Sequence, residues 1–157
     1  MRPLYVTSGE PAGIGPDICL SLAERVDTRP IVVLADIDLL KQRAEQLNLS
    51  VKLLEYRGQA QTAAKGQLYV EHVPLKAEVI AGELNPQNSA YVLEQLRRSA
   101  DYAFSGKSVG VATAPVQKSV INESGISFSG HTEYYQEFAG GERVVMMLAT
   151  KTLRVAL

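Results

Sequence analysis

With 157 residues, 46% of them hydrophobic, the chain is long enough to bury roughly 70% of the surface its unfolded form exposes. Its 16 Lys and Arg against 17 Asp and Glu leave a net charge of −1, which argues against nucleic acid or an acidic membrane as a partner. No stretch approaches the ~20 apolar residues of a membrane span and MRPLYVTSGEP lacks a signal-peptide core, so the expected location is cytoplasmic. Cys19, the single cysteine, excludes an internal disulfide, and with only His72 and His131 beside it the composition argues against a closed zinc cluster.

Short apolar runs alternate with longer helical patterns, the signature of an α/β domain with a mostly parallel sheet flanked by helices. Leu4 to Thr7 predicts a first strand that runs into TSGEPAGIGPD (Thr7 to Asp17), where Gly9, Gly13 and Gly15 allow close backbone approach and a helix starts at Pro16. Helix starts of this kind favour anions, yet the spacing is neither GxGxxG nor a P-loop. Pro16 to Val26 predicts the helix, with Asp17 favouring its start and Cys19 as a small buried hydrophobe.

Ile31 to Ala35 predicts the second strand, and Asp36 caps a helix that places Leu40, Ala44 and Leu47 on one face. Strands follow at Val51 to Tyr56 and Leu68 to Val73, with Arg57 to Gln67 between them as a surface loop. Asn85-Pro86, a cap and a first-turn proline, opens the longest helix, which carries Leu93, Leu96, Ala100 and Ala103 inward and a Glu94–Arg98 pair outward. Arg97 and Arg98 read as solvated helix surface in preference to a phosphate clamp. Val109 to Ala114 is the next strand. Near the end, strands are predicted at Val144 to Ala149 and Leu153 to Leu157; the segments VVMMLAT (Val144 to Thr150) and LRVAL are separated by Lys151 and Thr152 alone, too short for a parallel crossover, so an antiparallel hairpin is predicted. Ending in an apolar strand reads as a sign of truncation.

Four residues stand out for chemistry. Ser129-Gly130 delivers His131 and Thr132 to the start of a helix, where an imidazole, a hydroxyl and backbone N–H groups can converge on a phosphate. The alternative, a capping Thr132 and a surface His131, has even weight on the residues alone, and Glu133 would repel an anion unless it points away. Lys118 follows Ala114-Pro115, at the strand-to-helix handover where open α/β sheets place ligands, and Glu10 lies in the glycine loop. Lys118 and Glu10 are cleft-lining candidates with an equally good reading as ordinary surface residues.

Thr7 to Asp17, Ala112 to Ile126 (ATAPVQKSVINESGI), SGHTEYY (Ser129 to Tyr135) and VVMMLAT (Val144 to Thr150) together closely resemble the 4-hydroxythreonine-4-phosphate dehydrogenase family across essentially the whole chain. The resemblance implies an isocitrate/isopropylmalate dehydrogenase-like fold in truncated form. Residues 1–140 would be an amino-terminal α/β subdomain and residues 141–157 the first hairpin of a second one whose remainder is absent. It implies oxidation and decarboxylation of 4-phosphooxy-L-threonine to 3-amino-2-oxopropyl phosphate on the route to pyridoxal phosphate. The cofactors implied are NAD or NADP and a divalent metal (zinc, magnesium or cobalt), the metal bound by histidines of the missing half. His131 and Thr132 would contact the phosphorylated substrate, the full-length protein would be a homodimer, and this chain alone would be inactive. Two alternatives are a sister dehydrogenase of threonate or erythronate 4-phosphate and a non-catalytic phosphate-binding module.

Overall fold

The computed structural model describes residues 1–59, 61–141 and 143–157. Strand β1 (Leu4–Thr7) is followed by helix α1 (Gly15–Ser21) and a 3₁₀ turn at Leu22–Glu24, then β2 (Ile31–Ala35), α2 (Ile37–Gln46), β3 (Lys52–Glu55) and β4 (Gln67–His72). A 3₁₀ turn at Pro86–Asn88 leads into α3 (Ser89–Phe104), followed by β5 (Gly110–Thr113), α4 (Lys118–Glu123), α5 (His131–Phe138), β6 (Met147–Ala149) and β7 (Arg154–Ala156).

The first five strands form one wholly parallel sheet in the order β3-β4-β2-β1-β5. Alternation along each strand sends side chains to opposite faces. On one face Tyr5, Val32 and Leu34 pack with Tyr91, Val92 and Leu96 of α3 and with Val120, Ile121 and Phe128. On the other, Val33, Ala35, Leu68 and Val70 pack with Cys19 and Leu20 of α1 and Leu40 and Ala44 of α2. Each fully buried leucine in these layers contributes roughly 1.5–3 kcal/mol. Cys19 is buried beside Leu20 in the same layer, and burial pushes its thiol up to about 12, so it is no nucleophile.

Strand and helix edges differ from the sequence reading by a few residues, for physical reasons. The helix expected over Pro16 to Val26 tightens into a 3₁₀ turn after Ser21 and ends before Arg25, which is extended. Asp36 caps α2 as expected, Oδ1 accepting from the Asp38 and Leu39 amides at 2.9 and 3.0 Å, while Oδ2 also holds the Leu75 amide at 3.1 Å. Asn85 caps the 3₁₀ turn through Gln87, not the long helix itself. Arg97 and Arg98 are committed to Glu94, and Arg98 also reaches Glu71 on β4, so it is less of a free surface residue than the sequence suggests. The expected loop over Arg57 to Gln67 lies between β3 and β4, its Ala60 outside the described residues.

The hairpin of β6 and β7 is antiparallel, Leu148 opposite Val155, with Thr150 Oγ1 accepting from the Leu153 amide at 3.0 Å to close the turn. Every residue of both strands is exposed.

Candidate active site

In the sheet, β1 has β2 on one side and β5 on the other, so the loops leaving the carboxyl ends of β1 and β5 diverge and open a crevice at a topological switch point. The glycine loop and the Ala114–Gln117 segment form its walls. The Glu10 amide donates to the Pro115 carbonyl at 3.0 Å and the Ala114 amide to the Thr7 carbonyl at 3.0 Å. Two of the three loop glycines are dictated by close backbone approach, Gly9 to the facing Pro115 and Gly15 to Ser8 within the loop. Gly9 has φ +69°, and a Cβ there would sit 2.3 Å from the Pro115 oxygen; at Gly15 it would sit 1.8 Å from the Ser8 oxygen.

Glu10 lines a cavity of about 340 Å³ with Ala12, Ile14, Leu84, Pro115 and Val116. Its side chain is buried, Oε1 accepts from the Ala12 amide at 3.2 Å, and burial raises its pKa against the smaller effect of that hydrogen bond. The sign follows directly. Because the carboxyl ionises more readily unfolded, its contribution to stability is complete at acid pH and is lost as pH rises through the folded-state pKa. Glu10→Gln is therefore expected to match the parent chain in acid and exceed it at neutral pH, measured by urea unfolding across pH; equal stability at both ends would contradict it.

The glycine loop is also held from beneath by α3, through residues with no place in the sequence reading. Gln95 Oε1 accepts from the Gly9 amide at 3.0 Å and Gln95 Nε2 donates to the Gly9 carbonyl at 3.3 Å, so one side-chain amide grips both ends of the residue. Ser8 Oγ donates to the same Oε1 at 3.1 Å, which leaves Tyr91 to donate to Ser8 Oγ at 2.8 Å while accepting from the Asp36 amide at 3.2 Å. Burial raises the Tyr91 pKa and keeps that phenol protonated. Gln95 and Ser8 are fully buried and Tyr91 nearly so. The signal available in the sequence is a glutamine between Tyr91 and Ser99 at i+4 spacing, inside the stripe that faces the sheet.

The negative charge favoured at the start of α1 is supplied internally: Asp17 is held by Arg43 through two bonds of 2.8 and 2.7 Å. Lys118 and the start of α5 meet instead at Gly130. A Cβ on Gly130 would lie 3.2 Å from Lys118 Nζ and 2.8 Å from Glu133 Oε2, so the structure brings Lys118, Glu133 and the first turn of α5 to one point. His131 opens α5, half-buried beside Phe128, and its Nε2 is buried with no hydrogen-bond partner. Gly130 occupies the N-cap position, so Thr132 is not the capping residue; it is exposed in the first turn. Neither Lys118, His131 nor Thr132 lines the Glu10 cavity, although Lys118 directly follows one of its walls.

Burial, and secondarily the Lys118 charge, lower the His131 pKa, so the imidazole is neutral at pH 7 and can present one N–H. The unfolded chain takes up this proton first as pH falls below about 6.5, so the stability His131 contributes is present above that pH and lost towards the folded-state pKa. Lys118→Met is expected to raise the His131 midpoint in an NMR titration; an unchanged midpoint would remove the electrostatic link between them.

Residues 27–157 match the family model described as "Pyridoxal phosphate biosynthetic protein PdxA". The chain belongs to the PdxA family. It is 52% identical over 159 aligned residues to a 4-hydroxythreonine-4-phosphate dehydrogenase of Stutzerimonas stutzeri, covering 99% of this chain and 48% of that protein. The relative of the same name from Vibrio cholerae is 49% identical, again over 99% of this chain and 48% of its own length. Among solved structures, 4-hydroxythreonine-4-phosphate dehydrogenase from Klebsiella pneumoniae superposes with a TM-score of 0.89 at 29% identity, covering 99% of this chain and 50% of that one. The chain thus spans about half the length of the PdxA relatives it matches. Its parallel α/β sheet is the fold expected from sequence, and the relatives are named as dehydrogenases.

Among the described residues no group of three or more His, Cys, Asp or Glu side chains is placed to hold a metal ion. No helix among them is long and apolar enough to cross a membrane.

Proposed function

We propose that this chain carries the substrate's anionic subsite of an NAD(P)-dependent, metal-dependent 4-hydroxythreonine-4-phosphate dehydrogenase, which oxidises and decarboxylates 4-phosphooxy-L-threonine to 3-amino-2-oxopropyl phosphate. The observation that carries this reading is the approach of Lys118 Nζ to Gly130, the N-cap of α5, where the neutral His131 opens the helix and the amide groups of its first turn begin. Lys118 supplies charge, His131 one N–H, Thr132 a hydroxyl, and the helix start its unpaired amides, a donor set suited to a phosphate. Glu133 opposes an anion there and would swing away on binding.

Neither implied cofactor is fully met by these residues. The metal would take its ligands from outside them, since they form no metal-binding group. The Glu10 cavity offers apolar walls for a single ring but a carboxylate and no cation, an unsuitable lining for a pyrophosphate. The chain's own part is therefore to bind and orient the phosphate end, and turnover by this chain alone is not expected.

The reading extends to a cytoplasmic homodimer, with residues 1–140 as one subdomain and 141–157 opening a second. The exposed apolar residues Val145, Met147, Leu148 and Val155 of the hairpin support burial against further protein. The test is binding of 4-phosphooxy-L-threonine to the chain by calorimetry. Saturable binding weakened at least tenfold by His131→Ala supports the subsite; binding indifferent to that change overturns it. NAD reduction by the chain alone would overturn its incompleteness, and a preference of the full-length enzyme for threonate 4-phosphate would reassign the substrate.

A further inference from the structure

A second recess shares no lining residue with the Gly130 subsite or the Glu10 cavity. It is a groove of about 800 Å³ lined by Arg2, Tyr5, Tyr56, Glu71, Tyr102 and Lys107. Arg2 precedes β1 and Lys107 precedes β5, while Tyr56 follows β3 and Glu71 lies near the carboxyl end of β4, so the groove runs obliquely across the strands with its two cations at the amino ends of β1 and β5. Nothing in the proposed reaction uses it.

Three features define what it can hold. Glu71 is mostly buried, its side chain 14% exposed, and its Oε1 accepts from the Tyr102 hydroxyl at 2.7 Å and from Arg98 at 3.3 Å. Its Oε2 is buried with no hydrogen-bond partner, and leaving such an oxygen without a donor costs about 1–3 kcal/mol. Tyrosines make the walls: Tyr5 and Tyr102 stack at 4.4 Å, and Tyr56 stands edge-on to Tyr5 at 6.1 Å. Burial raises the pKa of Tyr5 and Tyr102, so both phenols remain donors. At the rim, neither Arg2 nor Lys107 pairs with a carboxylate among the described residues, Arg2 touching only the Gly106 carbonyl at 3.3 Å.

An occupant that satisfies all three has a flat ring to lie against the tyrosines, an N–H to donate to Glu71 Oε2, and an anionic group for the two free cations. We propose that this groove binds a phosphorylated heteroaromatic metabolite, its N–H on Glu71 and its phosphate between Arg2 and Lys107. Two sources share that chemistry, vitamin B6 phosphates and nucleoside monophosphates. The site stands independently of the Gly130 subsite and would make the protein responsive to a ligand other than its substrate.

The test titrates the chain with pyridoxamine 5′-phosphate, AMP and inorganic phosphate at fixed ionic strength, by calorimetry and amide NMR. Saturable binding of either organic phosphate, at least tenfold tighter than inorganic phosphate and with shifts at Tyr5, Glu71 and Lys107, is the expected result; whichever binds tighter names the source. The Arg2→Glu/Lys107→Glu double variant changes exposed residues only and is expected to weaken it at least tenfold, whereas Lys118→Ala leaves it unchanged. No saturable binding, equal affinity for inorganic phosphate, indifference to the rim variant, or shifts centred on Gly130 would each overturn the proposal.

Discussion

Gly9→Ala is expected to destabilise the chain by about 2–5 kcal/mol. The left-handed backbone at φ +69° accounts for roughly 1–2 kcal/mol of this in any residue with a Cβ. The rest is overpacking, about 1–3 kcal/mol, because that Cβ would lie 2.3 Å from the Pro115 oxygen and 3.0 Å from the Ala114 oxygen. Neither neighbour can step aside: Pro115 O accepts the Glu10 amide, and the Ala114 amide is bonded to Thr7. Gly82 provides the control, since it has φ +86° with nothing within 4 Å of its Cβ position. Gly82→Ala should pay only the backbone part. Guanidinium unfolding at unchanged m-value separates the two, and at this size each kcal/mol moves the melting temperature by roughly 2–4 °C. If Gly9→Ala is no worse than Gly82→Ala, the close approach of the two loops is not what fixes the glycine.

The same pair of loops marks the boundary of what could be read from residues alone. Periodicity and punctuation located the strands, because Tyr5, Val32 and Leu34 alternate with polar or oppositely buried neighbours and because Asp36 and Asn85 announce the turns after them. The hairpin followed from chain length, two residues between apolar runs being too few for a crossover. Strand order was beyond such reasoning: that β5 joins the sheet beside β1, and so opens the crevice between the glycine loop and Pro115, is set by pairing across about a hundred residues. The meeting of Lys118, Glu133 and His131 at Gly130 is likewise tertiary, since Lys118 belongs to a different helix. Polar residues inside an apolar stripe were legible only as exceptions. Gln95 and Glu71 look like ordinary helix and strand residues until the sheet places one beneath Gly9 and the other beneath Tyr102.

Gln95 carries the other large effect. Gln95→Leu keeps the volume but removes the acceptor for the Gly9 amide and the Ser8 hydroxyl and the donor to the Gly9 carbonyl, all in a fully buried setting. At about 1–3 kcal/mol for each stranded buried group, softened by Tyr91 still holding Ser8, the expected loss is about 2–4 kcal/mol. Gln95→Glu tests the same contact by charge. It keeps an acceptor for Gly9, but a carboxyl this buried ionises more readily in the unfolded chain, so the variant should approach the parent in acid and fall away as pH rises through its raised folded-state pKa. A Ser8→Ala/Gln95→Leu cycle should show coupling of about 0.5–3 kcal/mol, because the two side chains share one hydrogen-bond path. Local exchange distinguishes a latch on the loop from general core damage: the Gly9 and Glu10 amides should lose protection in Gln95→Leu before those of β2, where Val32 and Val33 are held by strands on both sides. Uniform loss across both regions would make Gln95 a core residue alone, with no special hold on the loop that carries Glu10 into the crevice.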